Sequence, residues 1–241
     1  MTIKFILDKV ELPKYKIGNI NHGIMKNIKY GNPARVYLKM IYFDNPILKW
    51  KKFLKFIPKP QDYRSTAVKK EILYLKNLQD SLNKKYIKRI YEHDRKSDIT
   101  FLNLIEENGY TVSEKFHLAM TKELAHIILK LKMHYQRPRP YQISHYHNIK
   151  LNPVDSTSAW TPAYPSGHGF QGYFWCKFYS YKYPDIKKKL KKFGKEMADS
   201  RLYGGFHYPS DNLVSKQLVN IIFKKKIHLY LEKKVKEKYN L

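Results

Sequence analysis

The sequence predicts an all-α protein, a helical bundle preceded by a less regular N-terminal region. Three observations lead there. Apolar residues recur at helical spacing along several stretches, no alternation of period two persists, and prolines or paired glycines fall where the periodic stretches must stop. With 241 residues the chain has room for one domain and a peripheral arm, while two full domains would be a tight fit.

Residues 1–65 are irregular. Pro13, Pro33, Pro46, Pro58 and Pro60 interrupt short apolar runs such as residues 36–43, so this part reads as an N-terminal segment wrapping a helical domain over 66–241. From Ser65 to about His93, Val68, Ile72, Leu75, Leu78, Leu82, Tyr86 and Ile90 keep a helical period, and Leu102 to Glu107 suggests a further short helix. Thr111 or Ser113 can cap the next helix, with Glu114 in its first turn and Phe116, Met120, Leu124, Ile127, Ile128 and Leu131 as its buried stripe. That helix must end near Pro138.

Residues 139–164 are rich in His, Pro, Ser and Asn, and a connection this long commonly shapes a site. Phe170 to Phe178 then reads as a central helix stopped before Pro184, and a helix from Ile186 to about Tyr203 is ended by Gly204 and Gly205. A last helix starts around Pro209 and runs through Leu213, Val214, Leu218, Ile221, Ile222 and Leu229.

A formal charge of +27 fits three explanations: a general lysine bias, steering of phosphorylated ligands, or a polyanion-binding surface. It does not choose among them. Cys176 is the single cysteine, which excludes an intrachain disulfide, and its aromatic surroundings suggest a core position. The N-terminus lacks a secretory apolar region and no apolar run reaches spanning length, so the expectation is a soluble, non-transmembrane protein; the compartment is not readable, with the cytoplasm favoured. Oligomeric state is not readable.

Three segments could carry chemistry. Lys132 and Arg139, the latter followed by Pro140, can both reach one anion, lysine as a point charge and arginine as a planar fork. Around Pro165-Ser166-Gly167-His168, Gly167 lets the backbone approach a ligand, helix-start amides donate to an anion, and the Ser166 hydroxyl adds another donor. Arg201 near a helix end can join them. His207 lies four residues before Asp211, whose carboxylate can accept its Nδ1–H and leave Nε2 aimed at phosphorus. Each segment alone has a plainer explanation: solvated charges, a turn with its cap, a structural histidine. Together they supply what phosphoryl transfer needs without a metal ion.

These residues carry a resemblance. Lys132-x6-Arg139-Pro140, Pro165-Ser166-Gly167-His168 and Ser200-Arg201-x5-His207-x3-Asp211 resemble, in order and spacing, the motifs of the type 2 phosphatidic acid phosphatase superfamily, which includes class A acid phosphatases and vanadium haloperoxidases. The resemblance covers about residues 113–235. It implies an acid phosphatase/vanadium-haloperoxidase-like helical core and phosphate-ester hydrolysis through a phosphohistidine. In that scheme Lys132, Arg139, Ser166, Gly167 and Arg201 bind phosphate, His168 is the general acid, and His207 is the nucleophile backed by Asp211. No cofactor is implied, and vanadate is expected as an inhibitor. The expected partner is a phosphorylated small molecule or a peripheral lipid phosphate, with no specific nucleic acid.

Two alternatives stay open. A vanadate-dependent haloperoxidase would use vanadate as cofactor on the same cradle, although such enzymes are generally longer. A non-enzymatic polyanion-binding protein would explain the charge and leave the pocket without a role. A metal site is disfavoured, because His117, His126, His134, His145 and His147 lack zinc-ligand spacing. Trp160 and Tyr164 read as packing for the long loop more than as an entrance to the site.

Overall fold

A computed structural model describes residues 40–41 and 45–241; the remaining residues, which include most of the expected N-terminal wrapping segment, lie outside the described part. A 3-10 helix over Trp50–Phe56 leads to nine α-helices among the described residues: α1 Thr66–Asp80, α2 Lys84–Arg95, α3 Ser97–Glu106, α4 Glu114–Tyr135, α5 Pro140–Ile143, α6 Gly167–Lys182, α7 Lys187–Tyr203, α8 Pro209–Lys224 and α9 Ile227–Tyr239. No strand occurs among them, and the all-α expectation holds. None of these helices is long and apolar enough to cross a membrane.

α4 is the central rod. Ser113 caps it by accepting the Phe116 N–H at 3.2 Å, and the expected stripe from Phe116 to Leu131 is buried. It ends as Gln136 turns to φ 49°, ahead of Pro138, so Lys132 occupies its last turn. The main core joins that stripe to Phe170, Phe174, Trp175 and Phe178 of α6, Met197 of α7, and Leu218 and Ile222 of α8. Phe53 and Ile57 enter the same core.

α6 and α7 pack most intimately. A Cβ added at Gly194 would lie 2.5 Å from the Gly172 carbonyl oxygen, and one at Gly172 would lie 2.7 Å from that of Gly194. Glycine at both positions lets the two backbones touch.

The helix expected over 65–93 is in fact two. Ser81 donates back to the Leu78 carbonyl, and Asn83 starts α2 by accepting the Tyr86 N–H at 2.9 Å, so local polar caps override a continuous apolar period. Tyr86, placed on the expected stripe, is 42% exposed. The last helix also divides, between Lys224 and Ile227, where Lys226 adopts φ 53°. Leu213 and Leu229, two of the apolar residues through which it was expected to run, are exposed. The long connection contains α5 and a 3-10 turn over Ser144–His147, and Gly205 at φ 73° follows the end of α7 as expected.

Candidate active site

Five chain segments bring the expected site residues to one pocket of about 360 Å³. Lys132 comes from the end of α4, Arg139 from the turn before α5, Gly167 and His168 from the start of α6, Arg201 from the last turn of α7, and His207 from the turn before α8. All six line the pocket. A Cβ at Gly167 would meet only ordinary contacts, with Ile128 at 3.8 Å and Lys132 at 3.9 Å, so no packing clash demands glycine there.

His207 is held from both sides. Its Nδ1 lies 3.1 Å from Asp211 Oδ2, while a guanidinium nitrogen of Arg139 lies 2.8 Å from its Nε2. Arginine only donates, so Nε2 carries the lone pair and Nδ1 the proton. Asp211 Oδ2 also accepts the Tyr208 N–H at 3.0 Å. Burial, followed by Arg139, Lys132, Arg201 and His168, pushes the imidazole well below its ordinary value, which keeps His207 neutral.

The cations are anchored by oxygen acceptors. Lys132 donates to the carbonyls of Pro162 and Ala163 at 2.7 and 3.1 Å, and Arg139 donates to those of Thr161 and Phe206 at 2.8 and 2.9 Å. Burial, then Arg139 and Arg201, depresses the Lys132 ammonium against an opposing pull from Asp211. His168, partly exposed to the pocket, is lowered well below its ordinary value by burial, then Arg201, with Asp94 opposing and Lys132 adding.

Ser166 is placed differently from the expectation. It is fully buried outside the pocket lining, and its Oγ caps α6 by accepting the Gly169 N–H at 3.2 Å. Tyr164 is buried and donates to the Pro58 carbonyl at 2.6 Å, whereas Trp160 stays 45% exposed and its Nε1–H is taken locally by Thr157.

Sequence reasoning missed the carboxylate behind Arg201. Asp94 Oδ1 accepts from Arg201 at 2.8 Å, and its two oxygens also accept from the hydroxyls of Ser156, Thr157 and Ser158. Burial raises the Asp94 carboxyl, but Arg201, Ser158 and Ser156 more than offset that and hold it well below the usual carboxylate range. Arg137 was missed as well. It donates to Asp211 Oδ1 at 2.5 Å, Ser210 Oγ at 2.7 Å and Glu71 at 3.1 Å, and stacks 3.7 Å over the Tyr208 ring. Only its neighbour Arg139 carried a spacing signal.

The sequence model of the PAP2 superfamily matches residues 116–219, the stretch from α4 to α8 that holds Lys132, Arg139, Gly167, His168, Arg201, His207 and Asp211. Over this region the chain is similar to the PAP2 superfamily. Asp94, on α2, lies outside the PAP2 match. No curated protein sequence matches the chain. Among solved structures, a transmembrane PAP2-type phosphatidylglycerolphosphate phosphatase from Bacillus subtilis is similar at 18% identity with a TM-score of 0.47, covering 73% of this chain and 89% of its own. Among the described residues, no group of three or more His, Cys, Asp or Glu is arranged to hold a metal ion.

Proposed function

We propose that this chain hydrolyses phosphate esters without a metal ion, through a phosphohistidine on His207. The observation that carries this reading is the orientation of His207. Its proton is committed to Asp211, and its lone pair lies in a pocket shared by Lys132, Arg139, Arg201 and His168.

In the first half reaction the Nε2 lone pair attacks phosphorus, the ester P–O bond breaks, and protonated His168 gives its proton to the departing alkoxide. A bound phosphate competes with His207 for the Arg139 guanidinium and frees Nε2 for attack. Lys132, Arg139, Arg201 and the Gly167 amide bind the non-bridging oxygens, and Asp211 stabilises the charged ring. In the second half His168 removes a proton from water, the new P–O bond forms, the N–P bond breaks, and phosphate leaves. Ser166 acts here by holding the start of α6, which supports Gly167 and His168.

Rapid-quench labelling with an aryl phosphate tests the scheme. Acid-labile, alkali-stable label on His207 in excess chelator is expected, with competitive inhibition by vanadate. His207→Ala should take no label. His168→Ala should still label and should accumulate the intermediate. Label on His168 in the wild-type protein, or full turnover by His207→Ala, would overturn the assignment. The same pocket would suit vanadate as a cofactor, and halide oxidation with vanadate and peroxide but no ester hydrolysis would transfer the reading to a haloperoxidase.

A further inference from the structure

Three carboxylates line the pocket and work against anion binding: Asp98, Glu114 and Asp94, the last of which is paired with Arg201. Asp98, in the first turn of α3, lines it together with the cations, and no cation is ion-paired to it among the described residues. A carboxylate here repels a phosphate dianion. The macrodipole of α3 favours an acid in its first turn, but it does not account for what lies behind this side chain.

Thr121 Oγ1 donates to Asp98 Oδ1 at 3.1 Å, and His117 Nε2 lies 3.4 Å from the same oxygen. Trp175 Nε1 in turn donates to Thr121 Oγ1 at 3.2 Å, and its ring stacks on His117 with centroids 3.9 Å apart. The Tyr179 hydroxyl meets His117 Nδ1 at 2.9 Å. Burial pushes the Tyr179 phenol well above its ordinary value, so its hydroxyl stays protonated beside His117 Nδ1. His117, Thr121, Trp175 and Tyr179 are all buried. Thr121, itself held by Trp175, thus fixes Oδ1 with His117 packed beside it, and Oδ2 has no hydrogen-bond or ion-pair partner among the described residues.

Resting on the phosphatase reading, we propose that Asp98 determines specificity: its free oxygen binds a hydrogen-bond donor, an ammonium or a hydroxyl, on the alcohol half of the substrate. The substrate class is then the phosphate ester of a short amino alcohol or polyol. The donor offsets the repulsion that Asp98 exerts on the phosphate, and the buried relay keeps the accepting oxygen in one position.

The test compares O-phosphoethanolamine, glycerol 3-phosphate and ethyl phosphate, with p-nitrophenyl phosphate as a reference that needs no such donor. Wild-type kcat/KM should favour one donor-bearing ester over ethyl phosphate by about tenfold or more, the worth of a charge-assisted hydrogen bond. Asp98→Asn keeps an acceptor oxygen and removes the charge. It should abolish a preference for the ammonium ester and preserve one for the polyol ester, which Asp98→Ala should remove. Turnover of p-nitrophenyl phosphate, which has no donor to offset the repulsion, should not fall in either variant. Equilibrium binding of the three esters to His207→Ala, with and without Asp98→Ala, gives the same comparison without turnover. If p-nitrophenyl phosphate is not hydrolysed, the phosphatase reading fails and binding alone judges Asp98. Equal binding and equal rates for all three esters would overturn the proposal. So would a p-nitrophenyl phosphate loss in Asp98→Ala as large as the loss on the preferred ester.

Discussion

Asp211 divides its two oxygens between unlike partners, His207 and the Tyr208 N–H on one, Arg137 on the other. The fully charged Arg137 competes for the carboxylate, which limits how strongly Asp211 can draw a proton onto His207. Neutral His207 is the outcome, and it is the form an attacking nitrogen requires. His93 shows the cost of the same kind of burial where no partner exists. It is fully buried with neither ring nitrogen hydrogen-bonded, packs edge-on to Phe193, and is pushed down to about 4 by burial, then by Arg89, with Arg201 adding. Because the unfolded chain protonates this ring near 6.5 and the folded chain only near 4, stability is lost as pH falls through that window. The loss is about 3 kcal/mol by pH 4. His93→Phe should flatten the pH dependence of urea midpoints between those values, and an unchanged slope would reject this role for the ring.

At the level of elements, α6 supplies His168 and α7 supplies Arg201, and the contact at Gly172 and Gly194 fixes their separation. Gly194→Ala places a methyl group against backbone and against Cys176 Cβ at 2.9 Å, with no flexible side-chain end to yield. Overpacking of this kind costs about 1–3 kcal/mol. A lower Tm is expected, with a larger fall in kcat/KM than in stability, because the methyl group pushes apart two sides of the pocket. Normal activity in a folded Gly194→Ala protein would show that the spacing does not matter. The extent of α4 was legible in the sequence because its cap, stripe and terminating proline agree. The interruptions before α2 and α9 were not, since apolar periodicity passes through both and Lys226 is no recognised helix breaker. The pocket cations and histidines were legible through motif spacing. Asp94 and Arg137 were not, because their partners Arg201 and Asp211 lie 107 and 74 positions away in sequence and only the fold brings them together.

Across the whole molecule the net charge of +27 draws anions from a distance, an attraction that salt screens over about 10 Å at 0.1 M. Inside the pocket the same sign of charge has a different effect. Lys132 and His168 are depressed by burial and by neighbouring positive groups, so an arriving anion restores their hold on protons. The pocket is in this sense a proton-coupled receptor: each phosphate or vanadate that enters should draw hydrogen ions out of solution with it. Calorimetric titration of vanadate into the protein near neutral pH, repeated in buffers of different ionisation enthalpy, should report net proton uptake. Affinity should strengthen as the medium becomes more acidic, until His207 itself is protonated. Proton release on binding would contradict this coupling. Under the proposed mechanism, a site that loads ligand and proton together arrives already supplied with the hydrogen its leaving group will need.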